Sequence, residues 1–163
     1  MTKRTIQIDE DLSFQRKEWV AQRVGIGLLA LLLVAAVLGF TGSGGPFSHA
    51  ETSDASGALR VEYERIVRRG AQSTITLHLA GAKPGPRSFW FSTDYFNGID
   101  LETVVPDPEA VTAEGDRYVY TIRSTGSDAT VIVHMRPTRV GRIDVDVGVV
   151  DGPSVRFHQT SLF

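Results

Sequence analysis

The sequence contains no cysteine among its 163 residues, and this absence excludes several kinds of site. Disulfide cross-links, thiolate zinc sites, iron–sulfur clusters and cysteine nucleophiles all need that residue. A lipid anchor attached through a cysteine is excluded for the same reason. Any attachment to a membrane therefore has to come from the polypeptide itself.

The sequence also lacks an excess of charge of either sign. Seventeen basic and nineteen acidic residues give a formal net charge of −2, without the basic excess that nucleic-acid binding needs. The motifs G-x-S-x-G, G-x-G-x-x-G and Walker A do not occur, so neither a nucleophile elbow nor a phosphate-binding loop is indicated. We therefore predict no nucleic-acid partner, catalytic residue, cofactor or metal, and a protein that is not an enzyme.

Charged residues are missing altogether from residues 24–50. The apolar run Val24–Phe40 would span roughly 25 Å as a helix, slightly less than the ~30 Å hydrocarbon core of a bilayer. The uncharged residues that follow allow one further turn before Pro46. The pattern predicts a single transmembrane helix over residues 24–42, which makes the lipid bilayer the first expected partner.

The residues before this run indicate the orientation of the helix. Arg16, Lys17 and Arg23 precede it, whereas the next basic residue after it is Arg60. Positive charge concentrates on the cytoplasmic side, and an indole such as that of Trp19 favours the headgroup region. We expect Arg16, Lys17, Trp19 and Arg23 to lie at the membrane interface, residues 1–23 in the cytoplasm and the remainder outside it.

A cleaved signal peptide is the alternative interpretation of the same run. Ser48 and Ala50 occupy the −3 and −1 positions of a possible cleavage site before Glu51. The apolar run is longer than the apolar region of a usual signal peptide, which has about 7–15 residues, and the polar segment before it is also long. The sequence therefore favours an uncleaved anchor.

Beyond the helix, residues 43–57 are rich in Gly and Ser and predict a flexible linker. Residues 58–163 then alternate apolar and polar side chains, which is typical of strands with one wet face. Turn residues separate the candidate strands. Seven or eight short strands without a helical stretch predict a mainly β fold, an antiparallel immunoglobulin-like sandwich, with a small barrel as the alternative. The candidate strands are 59–64, 74–79, 87–93, 99–105, 118–123, 129–136, 143–149 and 154–160.

The spacing of these strands and the segment MRPTRVGRIDVDVGV at residues 135–149 resemble immunoglobulin-like and fibronectin type III-like domains. In those domains a strand ends, a turn with Pro and Gly follows, and a long alternating strand comes next. The whole layout is similar to uncharacterised single-pass bacterial membrane proteins with an extracytoplasmic β-domain. This resemblance implies a fold and a location, the cytoplasmic membrane with the domain on the periplasmic side, and it implies no activity.

The most unusual stretch is FWFSTDYFNG at residues 89–98, with five aromatic residues. Strand alternation places Phe89 and Phe91 on one face and Trp90 on the other. Exposed aromatic side chains favour binding surfaces because they bury a large area at a low entropy cost. Trp90, Tyr95 and Phe96 are therefore the predicted contacts with a partner.

These observations favour a membrane-anchored, non-enzymatic interaction module, an accessory or scaffold subunit of a larger membrane complex with a membrane-protein partner. The alternative is an extracytoplasmic domain that binds glycan or another cell-envelope component through the same aromatics.

Overall fold

The computed structural model describes residues 12–37, 48–81 and 83–163. The first of these ranges is one helix, α1, which runs from Leu12 to Val37. It begins well before the predicted span, and residues 38–42 of that span lie outside the described residues. Its stretch Gln15–Val37 is long and apolar enough to cross a membrane, and none of it is buried. A signal sequence would have the same length and composition, so the helix is a candidate for either a membrane anchor or a signal sequence.

The second and third ranges form two stacked sheets of strands. The strands are β1 His49–Ser53, β2 Leu59–Glu64, β3 Ile66–Arg68, β4 Ser73–Leu79, β5 Gly85–Ser92, β6 Ile99–Val105, β7 Ala110–Glu114, β8 Arg117–Ser124, β9 Ala129–Pro137, β10 Gly141–Val149 and β11 Ser154–Leu162. A short helix, α2, runs from Thr93 to Phe96 between β5 and β6. Sheet A has the order β1-β2-β4-β9-β6, and sheet B has the order β3-β11-β10-β5-β8-β7.

This architecture confirms the predicted β-sandwich behind one N-terminal helix, with two differences in detail. The described residues form eleven strands rather than seven or eight, and the pair β3 and β11 is parallel. The three unpredicted strands are β1, β3 and β7, and each of them lies at the edge of a sheet. An edge strand buries few side chains, so its sequence shows only a weak alternation of apolar and polar residues.

The core follows from the alternation that the central strands show. Val61, Leu77 and Val131 lie opposite one another across β2, β4 and β9, and none of them is exposed to solvent. Sheet B adds Phe89 and Phe91, which pack on Tyr120 with ring centroids 5.3 and 6.4 Å apart. Burial of such side chains contributes about 1.5–3 kcal/mol each. Hydrophobic burial therefore stabilises a domain that has no disulfide.

Strand β1 corrects the interpretation of residues 43–57 as a flexible linker. Its five residues pair with β2, and Ala50 opposite Tyr63 is only 9% exposed. The sequence HAETS is too polar for its pairing to be visible in the hydropathy pattern. Residues 43–47 lie outside the described residues.

The turn from β1 to β2 is organised by one carboxylate. Asp54 accepts hydrogen bonds from the backbone N–H groups of Ser56 and Leu59, each at 2.6 Å, and from the hydroxyl of Ser56. Hydrogen bonds to the ionised form favour it. The bond from the Ser56 side chain, followed by the one from Leu59, lowers the pKa of Asp54 below the ordinary value of 3.8.

We predict that Asp54→Asn lowers the melting temperature at neutral pH and has a smaller effect in acid. Because the pKa of Asp54 is lower in the folded state, its stabilisation is present above the unfolded value of 3.8 and is lost as the pH falls through the folded value. Circular dichroism melts at neutral and acidic pH measure the difference from the wild type. Asp107→Asn, in the exposed connection after β6, is the control. A melting-temperature difference for Asp54→Asn that is independent of pH would contradict the prediction.

Candidate binding surface

The aromatic segment at residues 89–98 is divided between the core and the surface. Phe89 and Phe91 on β5 are 0% and 2% exposed, as strand alternation predicts. Trp90 projects from the opposite face of the same strand and is half-buried. The chain then turns into α2, which lies against β10 and carries the last two aromatics back toward the core.

Tyr95 is a core residue, and this corrects the prediction that it contacts a partner. Its side chain is 1% exposed and packs on Phe91 with ring centroids 5.6 Å apart. Its hydroxyl donates to the thioether of Met135 and, at 3.3 Å, to the side-chain oxygen of Gln159. Burial raises the pKa of Tyr95 far above its usual range. The sequence did not reveal α2, and its helical turn is what directs this ring inward.

Phe96 also belongs mainly to the core. It is half-buried against Phe91 and Tyr95, with the centroid of Tyr118 5.2 Å away in an edge-to-face arrangement. Such pairs contribute about 0.5–1.5 kcal/mol beyond their burial. The ring of Phe96 therefore supports the packing between β5 and β8, and Trp90 is the member of the predicted trio on the outer face.

We predict that Tyr95→Ala destabilises the domain by about 3–5 kcal/mol, as truncation of a large core ring does. Tyr95→Phe removes only the hydroxyl contacts and is expected to cost about 0.5–1.5 kcal/mol. Trp90→Ala is expected to leave the domain folded, because the ring lies outside the core. Urea unfolding followed by circular dichroism compares the three variants. A loss for Trp90→Ala equal to that for Tyr95→Ala would contradict the assignment of Trp90 to the outer face.

Trp90 lies over a glycine on the outer face of sheet B. It is the register partner of Gly148 on β10 and of Val119 on β8. A β-carbon at Gly148 would come within 2.6 Å of ring atom Cζ2, so only glycine allows the indole to approach the sheet this closely. The guanidinium carbon of Arg117 lies 5.5 Å from the ring centroid, within the range of a cation–π interaction. These neighbours fix the ring as a platform on the surface.

We predict that Gly148→Ala destabilises the domain by about 1–3 kcal/mol, the usual cost of overpacking. The added methyl group would meet Trp90 and, at 2.8 Å, the β-carbon of Ser154. Adding Trp90→Ala should restore part of the loss, and the double-mutant cycle measures that coupling by urea unfolding. Gly126→Ala is the matched control, since a β-carbon there meets nothing closer than 3.5 Å. Additive effects of the two substitutions would contradict the contact.

A shallow groove with an excess of negative charge begins beside this platform. It is lined by Ser92, Asp94, Asp116, Arg142, Asp144, Val145, Asp146 and Arg156. Arg142 pairs with Asp144 at 2.7 Å, and Arg156 pairs with Asp146. The lining thus has four carboxylates and two guanidinium groups, an excess of two negative charges. Ser92 follows Trp90 on the outer face of β5, so the platform and the groove adjoin.

Sequence reasoning found Trp90 but missed its surroundings. Gly148, Arg117 and most of the groove carboxylates come from two other segments, at β8 and β10, and strand register alone brings them to β5. The exception is Asp94, which lies in α2 within the aromatic segment itself. No group of three or more His, Asp and Glu side chains in the part of the chain that the structure describes could hold a metal ion.

The predicted interface residues of α1 lie together before the apolar run. Arg23 stacks on Trp19 one helical turn earlier, with its guanidinium carbon 3.6 Å from the ring centroid. Arg16 and Lys17 are exposed on the preceding turn. The arrangement presents an amphipathic aromatic and three cations at one end of an apolar helix.

No protein-family model matches the chain, and no curated protein matches it. Solved structures do match. The seventh ScaB type I cohesin from Pseudobacteroides cellulosolvens is 8% identical with a TM-score of 0.41, over 60% of this chain and 86% of that one. The cohesin CaCohA2 from Clostridium acetobutylicum is 10% identical with a TM-score of 0.38, over 59% and 84%.

The C-terminal domain of the AgI/II polypeptide BspA from Streptococcus agalactiae also matches, with 12% identity and a TM-score of 0.39 over 60% of this chain and 44% of that one. These neighbours are β-sandwich domains, and the likeness concerns the fold alone.

Proposed function

We propose that the chain is a membrane-anchored, non-enzymatic interaction module, an accessory or scaffold subunit of a larger bacterial membrane complex. Helix α1 anchors it in the cytoplasmic membrane with the N-terminus inside, and the sandwich lies outside. The observation that carries the proposal is the Trp90 platform, a large aromatic ring held on the outer face by residues of the two neighbouring strands. A tether to the membrane would raise the effective concentration of this platform toward a membrane partner.

The position of β1 supports retention of the helix. Cleavage after Ala50 would remove two of the five residues of β1, including the buried Ala50 itself. It would also remove the carbonyl of Ser48, which accepts a hydrogen bond of 2.6 Å from the backbone N–H of Arg65. An intact β1 therefore requires a chain that continues upstream of the possible cleavage site.

We predict that intact-mass measurement of the protein extracted from membranes gives the mass of a chain that still includes residues 1–50. The reason is that β1 needs residues on both sides of the possible cleavage site. A mass that corresponds to a chain starting at Glu51 would contradict the anchor proposed above. Replacement of Ala50 by Leu, which blocks recognition of small residues at this position, should leave the mass otherwise unchanged.

The groove beside Trp90 indicates the chemistry of the partner. Its excess of negative charge favours a basic side chain, which Trp90 also attracts through its ring face. Asp94 in α2 and Asp116 just before β8 are exposed carboxylates. A protein segment that carries Arg or Lys next to an apolar residue would satisfy both parts of the surface.

We predict that Trp90→Ala reduces co-purification of the full chain with its partner in mild detergent, and that Asp94→Asn with Asp116→Asn does so to a lesser degree. Raising the salt concentration should weaken the complex, because exposed charge pairs are screened. Phe163→Ala is the control, since that ring is 92% exposed and distant in sequence from the platform. Quantitative mass spectrometry of the eluates measures the loss. Equal recovery with wild type and Trp90→Ala would overturn the platform as the contact.

The same ring supports the second candidate function, binding of a cell-envelope glycan. An indole on the outer face of a sheet can stack on a sugar ring, and the glycine at position 148 holds the ring of Trp90 close to the sheet. Titration of the detergent-solubilised chain with muropeptides separates the two functions. A tryptophan fluorescence change that is lost in Trp90→Ala supports the glycan, and the absence of a change supports the protein partner.

A further inference from the structure

The free edge of sheet B is a second surface, which the Trp90 platform does not use. Among the described residues β7 pairs with β8 and with no other strand, and all five of its residues are exposed. Val111 is 55% exposed although it lies opposite the buried Tyr120 and so faces the interior side of the sheet. The interior side of β7 is therefore open to solvent.

The other edges of the sandwich carry the usual protection against strand pairing. Strand β1 presents Glu51 in an ion pair with Arg60, and β3 is only three residues long. Strand β6 has a register shift beside Glu102, which pairs with Arg136 at 2.5 Å. Strand β7 has regular register and no charge from Ala110 to Ala113. It is the edge with the least protection against a further strand.

We propose that β7 pairs antiparallel with β7 of a second copy of this chain, about a two-fold axis through Thr112. The two six-stranded sheets then form one continuous sheet. Directly opposed residues in a sheet have their side chains on the same face, and the side chains of one strand alternate between the two faces. Each residue of one copy must therefore lie opposite a residue of the other copy whose number is also even, or also odd. The axis at Thr112 is the arrangement that satisfies this condition with all five residues of β7 paired.

The side chains of β7 are complementary to themselves in this register. On the interior side, Val111 of one copy opposes Ala113 of the other, next to Tyr118, which is the register partner of Ala113 on β8. Val111 and Tyr118 are 55% and 36% exposed in the single chain. The larger residue of one copy thus fills the space over the smaller residue of the other and covers both apolar groups.

The polar residues are equally compatible with this axis. Thr112 opposes its own copy, and Thr–Thr pairs across antiparallel strands stabilise the sheet through side-chain hydrogen bonds. Glu114 opposes Ala110, so no two like charges lie directly across the interface. The neighbouring axes that also keep side chains on matching faces pass through Val111 or Ala113. Each of them would place that residue opposite its own copy and leave some residues of β7 unpaired.

Five paired residues form a small interface, which would be weak between chains free in solution. The inference therefore rests on the membrane anchor proposed above. Two chains held in one membrane meet at a high effective concentration, which compensates for weak pairwise contacts. The dimer is therefore expected in membranes, and it buries the edge that would otherwise be open to other strands.

Because the chain has no cysteine, an introduced cysteine is its sole thiol, and any disulfide between two chains identifies that position. Opposed residues of an antiparallel pair have α-carbons about 4.5–5.5 Å apart, within the disulfide range of about 4.4–6.8 Å. Thr112→Cys in the full chain, oxidised in membranes, should form a disulfide-linked dimer. Ala110→Cys should not, because its copies would lie about 13 Å apart at 3.3 Å per residue, whereas Ala110→Cys combined with Glu114→Cys should. Thr130→Cys, on the outer face of sheet A, is the control for random collision.

A second variant tests the pairing without a cross-link at the axis. Thr112→Lys places two like charges directly opposite each other and should abolish the dimer formed by the Ala110→Cys, Glu114→Cys chain, whereas Thr130→Lys should leave it. Failure of Thr112→Cys to cross-link above the Thr130→Cys level, or equal cross-linking by Ala110→Cys alone, would overturn the proposal. Sedimentation of the chain with membranes is scored on the same samples, so that loss of the anchor is distinguished from loss of the dimer.

Discussion

The domain depends on the packing of alternate side chains between two sheets, because it has no covalent cross-link to support it. At the centre of that packing, Phe89 and Phe91 of sheet B contact Tyr120 and Tyr95, while Val61, Leu77 and Val131 present the facing apolar layer. Burial of this kind is non-directional and proportional to apolar area, so it tolerates polar residues on every outer face. The outer faces are thereby free to carry a platform on sheet B and, on sheet A, the carboxylate of Glu62 between Arg60 and His78.

Sequence patterns predicted the strands whose side chains build the core and missed three strands at the edges of the sheets. The eight strands with clear alternation are all present, and the strand and turn at residues 135–149 match the segment that carried the immunoglobulin-like resemblance. Strands β1, β3 and β7 were missed because an edge strand is held mainly by main-chain hydrogen bonds on one side, which leave little mark on side-chain hydropathy. The prediction of a flexible linker over residues 43–57 was wrong at residues 49–53 for this reason.

The positions of the candidate site residues could be predicted only within strands, where side chains alternate between the two faces. Alternation assigned Trp90 to the outer face and its two neighbours to the core, and the structure agrees. Tyr95 lies beyond the end of β5 in a helical turn, so period-two reasoning could not place it. The approach of Gly148 and Arg117 to the ring is a long-range consequence of strand order, which no local motif of a single sequence encodes.

The contact between Trp90 and Gly148 has a consequence for the evolution of this domain. The indole occupies the volume that any β-carbon at position 148 would need, so the two positions cannot change independently. A descendant that exchanges the tryptophan for a small side chain becomes free to accept other residues at 148, and one that first loses the glycine has to give up the close approach of the ring to the sheet. A tryptophan on this strand together with a glycine on the neighbouring strand is therefore a paired signature by which distant relatives that retain the platform can be recognised.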